Sequence, residues 1–142
     1  ILTLLVAVIL LALPIFASES SEKSSANEQG KKYETLDEAL TVGKPVLCLF
    51  HTSKACRCTM KKCKAALATC DSIAYSLPDD VIYFKVDIAL HKSAAKTHKI
   101  MAAPTIVFFD KNRLETSRLQ SWQIKREAIE QGVMEITKKE QK

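Results

Sequence analysis

Three apolar stretches of strand length constrain this chain more than any other feature: Val46–His51 (VLCLFH), Val81–Asp87 (VIYFKVD) and Thr105–Asp110 (TIVFFD), with segments of helical period between them. Runs that are apolar throughout, instead of alternating with polar residues, belong to strands covered on both faces. Helices must supply that cover. Thr59 to about Ala74 is read as a helix, because Met60, Cys63, Leu67, Cys70 and Ala74 recur at spacings of three and four. Shorter helices are expected over Tyr33–Val42, with Thr35 as cap and Glu38 three residues on, and over Ser93–His98. Gly43-Lys44-Pro45 ends the former, and Leu77-Pro78-Asp79-Asp80 is a turn. Lys111-Asn112-Arg113 turns the third strand into a fourth, Leu114–Gln120, with polar alternation. A closing helix over Ile124–Lys138 buries Ile124, Ala128, Ile129, Val133 and Ile136. The order α-β-α-β-α-β-β-α predicts an α/β domain with one central sheet. Only 3 Gly and 4 Pro are present, too few for the tight turns of an all-β barrel.

Residues 1–17 (ILTLLVAVILLALPIFA) are uncharged and almost wholly apolar, and residues 18–31 are nearly all small or polar. This pattern predicts an export segment followed by a polar linker, with the folded domain at 32–142. The run opens on Ile1 with no basic stretch before it, as expected of a chain read from downstream of its natural start. Seventeen helical residues reach only about 25 Å, slightly short of a bilayer core. Ile15-Phe16-Ala17 before Ser18 also suits cleavage, so a cleaved signal peptide is favoured over a retained N-terminal membrane anchor, and both are open. Pro14 and the lack of a polar face argue against a buried core helix. Either outcome places the domain in an exported setting: periplasm, extracellular space or secretory lumen.

Two basic and three acidic residues lie in 1–31, so the remaining 111 residues carry a net charge of +6 against +5 for the whole chain. That favours acidic partners only weakly. No basic run is interleaved with aromatics, which make up 6% of residues, and this argues against nucleic-acid binding.

About residues 33–138 resemble the thioredoxin superfamily. The resemblance rests on VLCLFHTSKACRC, a core strand running into cysteines at a helix start; on FKVDIALHKSAAKTHKI, a second core strand and its helix; and on MAAPTIVFFDKNRLE, similar to the family's cis-proline loop, strand and hairpin. It implies a thioredoxin-like three-layer α/β/α sandwich with a central mixed sheet. It also implies thiol-disulfide exchange with protein thiols or disulfides, by a monomer without a cofactor. Pro104 is then expected to be cis and near the cysteines, with Ala103 offering backbone hydrogen bonds to an extended substrate.

The cysteines depart from the family's Cys-x-x-Cys, since this chain has Cys56-Arg57-Cys58-Thr59. Two registers compete. If Phe50 takes the family's last strand aromatic, the first cysteine position falls on Ala55 and the second on Cys58; if His51 does, they fall on Cys56 and Thr59. Inward positions about seven, ten and fourteen residues on are Cys63, Ala66 and Cys70 from Cys56, but Lys62, Ala65 and Thr69 from Ala55. Burying Lys62 is costly, so the Cys56 register is preferred.

Lys54, Arg57, Lys61, Lys62 and Lys64 place five cations and no acid around Cys56, and a helix begins nearby. Both features are expected to favour its thiolate, with Cys56 exposed and Cys58 partly shielded. Lys61, Lys62 and Lys64 are read chiefly as a solvated helix face; Arg57, between the sulfurs, is a candidate substrate contact. Residues i and i+2 on a helix point about 200° apart, so a Cys56–Cys58 disulfide needs a non-helical start. Cys48, Cys63 and Cys70 are read as small buried apolar residues.

Other departures bear on activity. The family's Trp before the first cysteine is Ala55, the Pro within its motif is Cys58, and its buried strand acid is Leu49 or Phe50. His51 is the candidate for proton transfer in place of that acid, whereas His91 and His98 are taken as solvated. Three functions stay open: a thiol-disulfide oxidoreductase using Cys56 with Cys58, a Cu(I) or Zn(II) binder using Cys56 and Cys58 with His51, Met60 or Cys63, and a redox-inactive thioredoxin-like binding domain.

Overall fold

The five residues Val46 to Phe50 have no exposed surface at all, and the rest of the chain is arranged around them. In the computed structural model, which describes residues 33–138, they belong to β1 (Val46–His51), parallel to β2 (Ile82–Asp87) and antiparallel to β3 (Thr105–Phe109). A fourth strand, β4 (Glu115–Gln120), pairs antiparallel with β3, giving the order β2-β1-β3-β4. Leu47 and Leu49 join Ile106 and Phe108 on one face, under α2 (Arg57–Ala74) and α4 (Arg126–Lys138). Val46, Cys48, Phe50, Val107 and Phe109 take the other face, under α1 (Leu36–Thr41) and α3 (Lys92–Thr97). The two-residue alternation of side chains thus fills two cores from continuous apolar runs. This is the mixed-sheet, three-layer α/β/α sandwich. The expected signal or anchor at 1–17 and linker at 18–31 lie outside the described residues.

Several boundaries move for physical reasons. α1 starts at Leu36, because Thr35 Oγ1 accepts from the Glu38 N–H (3.2 Å) while the Glu38 carboxylate reaches back to the Glu34 N–H (2.9 Å). β2 begins at Ile82 and is mostly half-buried, since it is an edge strand of the described sheet. α4 begins two residues later than its apolar stripe suggests. A 3-10 turn, Ser121–Gln123, intervenes, closed by reciprocal side-chain caps between Gln120 and Gln123. Ile124 and Ala128 are accordingly half-buried, and Gly132 joins Ile129, Val133 and Ile136 in the buried stripe.

α3 ends through Lys99 in the left-handed region (φ 52°), with the Ile100 N–H returning to the Ala95 carbonyl at 2.8 Å. A left-handed lysine costs about 1 kcal/mol relative to glycine. Arg118 of β4 offsets this by donating to the carbonyls of His98 (3.2 Å) and Lys99 (3.3 Å), groups that a helix end leaves unpaired. His98 is not solvated as the sequence suggested. Its ring lies half-buried against Phe50 (5.9 Å between centroids) and Phe109 (5.3 Å).

Gly132 touches the Phe108 ring so closely that a β-carbon there would lie 2.4 Å from it. Gly132→Ala should therefore destabilise the domain by about 1–3 kcal/mol through overpacking, outweighing a helix-propensity gain of at most about 1 kcal/mol; the urea midpoint measures this. Burial pushes the pKa of His51 down, opposed by Asp87, and that of His98 down, opposed by Asp37 and Glu115. Both bind protons more readily unfolded, near pH 6.5, so stability should fall as pH drops from 7 through that value. Urea titrations at pH 7.5 and 5.5 test the sign, and His98→Phe should flatten the difference.

Candidate active site

β1 ends at His51, and a short loop then carries the chain to α2. Three contacts hold that loop. Buried Thr52 accepts from the Lys54 N–H (3.2 Å) and donates to the Lys54 carbonyl (3.1 Å). Asp87, register partner of His51 on β2, accepts from the N–H of Ser53 (3.1 Å) and of Ala89 (2.9 Å). Burial raises the Asp87 carboxyl, but these hydrogen bonds outweigh it and hold the pKa below the ordinary value.

Cys56 sits at the N-cap of α2 in an extended conformation, its carbonyl accepting from the Met60 N–H at 3.0 Å. Its sulfur is exposed and lies 3.3 Å from the Thr59 hydroxyl. The Thr59 hydroxyl, and after it the backbone N–H groups of the first turn, hold the Cys56 pKa below the ordinary thiol value. The leading cause is thus a hydroxyl three residues on, not the flanking cations that the sequence put forward. The other cysteines behave differently. Cys48, Cys63 and Cys70 are buried free thiols, and burial raises the pKa of each, that of Cys70 to about 12.

Helix phase matches counting from Cys56. Cys63, Ala66 and Cys70 are buried, whereas Lys62 and Ala65 are exposed. Arg57 and Cys58 are exposed in the first turn. Cys58 is not shielded as expected, because it stands five residues before Cys63 and so about 140° round the helix from the buried face. Cys56 and Cys58 are both free thiols, and the side chain that Cys56 meets is that of Thr59.

Pro104 lies at the same end of the sheet. The Ala103–Pro104 bond is cis. Phe50 is the register partner of Thr105, which puts the buried Pro104 beside the end of β1, with Ala103 half-buried before it. The loop is tied by Thr105 Oγ1 donating to the Ala102 carbonyl (2.7 Å) and by the Ser121 N–H donating to the Pro104 carbonyl (3.1 Å). His51 is half-buried toward β2 and α2, in the field of Asp87, Lys85 and Asp71.

Cys56, Cys58 and Cys63 do not converge as a ligand set, since Cys63 faces the core. Among the described residues no group of three or more His, Cys, Asp or Glu is arranged to hold a metal ion. Two contributors went unread in the sequence. Thr59 follows Cys56 at the spacing of a helix capping box, a signal that was present. Asp87 gave only a strand-end acid, and its two backbone partners arise from the fold.

Thr59→Val keeps the side-chain shape and removes the hydroxyl. It should slow alkylation of Cys56 a few-fold at pH 7, and leave the rate unchanged near pH 10, where the thiolate is already formed; iodoacetamide labelling with mass mapping reads both rates.

A family model described as Thioredoxin matches residues 27–135. Among solved structures, a mutant thioredoxin from Halobacterium salinarum NRC-1 superposes with a TM-score of 0.61 at 16% identity, covering 75% of this chain and 87% of its own. The thioredoxin of Malassezia sympodialis gives 0.59 at 22% identity, covering 74% and 88%. The Fasciola hepatica thioredoxin gives 0.57 at 20%, covering 72% and 89%. A comparison with curated protein sequences finds no match. With a family model spanning most of the domain, and a sheet and helix order that superposes on solved thioredoxins, the chain belongs to the thioredoxin family.

Proposed function

We propose that this domain is a thiol-disulfide oxidoreductase acting on protein disulfides, with Cys56 as nucleophile and Cys58 as its partner. The observation that carries the reading is the state of Cys56: exposed, at a helix N-terminus, with its thiolate favoured by Thr59. The thiolate attacks one sulfur of a substrate disulfide, forming a Cys56–substrate bond and releasing the other sulfur as a thiolate. Cys58 then attacks the Cys56 sulfur and expels the second substrate thiolate. The substrate gains two electrons, the chain keeps a Cys56–Cys58 disulfide, and an external dithiol restores it. Cys56 already has an extended backbone, whereas Cys58 lies in the first helical turn of α2, so that turn has to open to bring the two free thiols to bonding distance. Ala103 and Pro104 would receive the extended substrate backbone, Arg57 its charged groups, and His51 with Asp87 would manage protons. The apolar run at 1–17 supports an exported setting.

A second reading has its own support. Thr59 occupies the position three residues after Cys56, where the family's second cysteine would stand, and touches the Cys56 sulfur at 3.3 Å. In that reading Cys56 works alone, and an external thiol resolves the mixed disulfide.

Insulin reduction separates the two. Cys56→Ser should abolish turnover with dithiothreitol. Cys58→Ser should accumulate the mixed disulfide if Cys58 resolves it, and should retain full turnover with excess monothiol if Cys56 works alone. A wild-type chain that reduces no insulin, and whose Cys56 alkylates no faster than free cysteine, would instead be a redox-inactive binding domain.

A further inference from the structure

The two most exposed large apolar side chains among the described residues are Met101, at 90%, and Trp122, at 81%. Both lie at the end of the sheet that carries Cys56. Met101 stands three residues before Pro104; Trp122 follows Ser121, whose N–H donates to the Pro104 carbonyl at 3.1 Å. The turn bearing Trp122 is held firmly. Gln120 and Gln123 cap it reciprocally, and Ser121 sits at φ 38°, a left-handed conformation that non-glycine residues rarely adopt. A strained backbone that lifts an indole into water is unexplained by packing.

On the other side of the site the character changes. Lys54, Arg57, Lys61, Lys62 and Lys64 are all exposed, no acid lies between residues 54 and 64, and the residue before Cys56 is the small Ala55. The α2 side therefore offers charge and the cis-proline side offers apolar surface. β4 lies two strands from β1, roughly 10 Å across the sheet, a span of about three residues of extended chain.

We propose that Trp122, with Met101, is the specificity contact for an extended protein segment that carries a large apolar residue within about three positions of its cysteine and acidic residues on the opposite flank. The apolar residue packs on the indole and the thioether, while the acids meet the lysine face of α2. A rigid aromatic makes such a contact at low entropic cost. This deepens the oxidoreductase reading, naming its substrate class.

The chain has a single Trp, so indole emission reports this surface alone. In the Cys56→Ser domain, a nine-residue peptide with a central Ser, a Phe two positions away and Asp on the other flank should shift Trp122 emission to the blue. Replacing its Phe by Ala, or its Asp residues by Lys, should weaken binding at least tenfold. Because this peptide cannot exchange sulfur, its binding is read independently of catalysis; peptide binding here together with a native chain that reduces no insulin would sink the oxidoreductase reading and leave the docking proposal standing. Next, Trp122→Ala should slow attack of otherwise native domain on the matching Cys-peptide disulfide at least fivefold and leave its rate with dithiobis(nitrobenzoate) unchanged; Trp122→Phe should restore the peptide rate. Emission indifferent to peptide, equal slowing of both reactions, or a concentration-dependent shift with dimers in sedimentation would overturn the proposal, the last by assigning the patch to a second copy of this chain.

Discussion

β1 has almost no free surface, and this single constraint orders everything else. Its backbone is paired along both edges, by β2 and β3, and its side chains alternate between two cores. Buried backbone groups must be paired, so such a strand exists only with neighbours on both sides and helices on both faces. The chain is then obliged to leave the sheet at His51, the first residue of the strand with any exposure. Residues 52–56 must cross the end of the sheet before the chain can enter α2. The loop that presents Cys56 is a consequence of how the middle of the sheet is closed.

Much of this was legible because it depends on side-chain type repeated along the chain. Continuous apolar runs announced β1 and β3, and the spacing of Cys63, Ala66 and Cys70 gave the buried face of α2. Features resting on one contact between distant segments were not legible. Arg118 satisfying the end of α3, the ring of His98 entering between two phenylalanines, and the tie between Ser121 and Pro104 each join residues far apart in sequence. The 3-10 turn before α4 was hidden for another reason: Ile124 fits the helical stripe even though its backbone is extended. Helical phase constrains side chains, and leaves the start of the helix to its caps.

The polar groups near the site divide by what their surroundings allow. Asp87 spends its carboxylate on two backbone N–H groups, so it behaves as a clamp that fixes where the loop leaves β1 and where the chain leaves β2. His51 beside it is less basic than a free imidazole. Deeper in the edge, Tyr83 donates to Asp71 (2.9 Å), which also takes the Lys85 ammonium (3.2 Å). These groups occupy the β2 side, while the exposed indole follows β4 and the exposed thioether precedes β3. The two edges of the sheet thus differ in character, polar and charged along β2 and apolar at the turn after β4.

The N-cap of α2 gives this arrangement a reciprocal side. An N-cap is ordinarily an oxygen that holds the first N–H groups of a helix; here the residue is a cysteine whose side chain makes no such cap in its neutral form. The helix end that favours the thiolate must, by thermodynamic linkage, be steadied by it in return. Any chemistry that discharges the sulfur, whether protonation, alkylation or a bond to another sulfur, withdraws that support from the turn holding Arg57 and Cys58. The charge state of one atom is therefore written into the local stability of the helix behind it, and the proposed exchange would loosen that turn at the step that bonds the Cys56 sulfur.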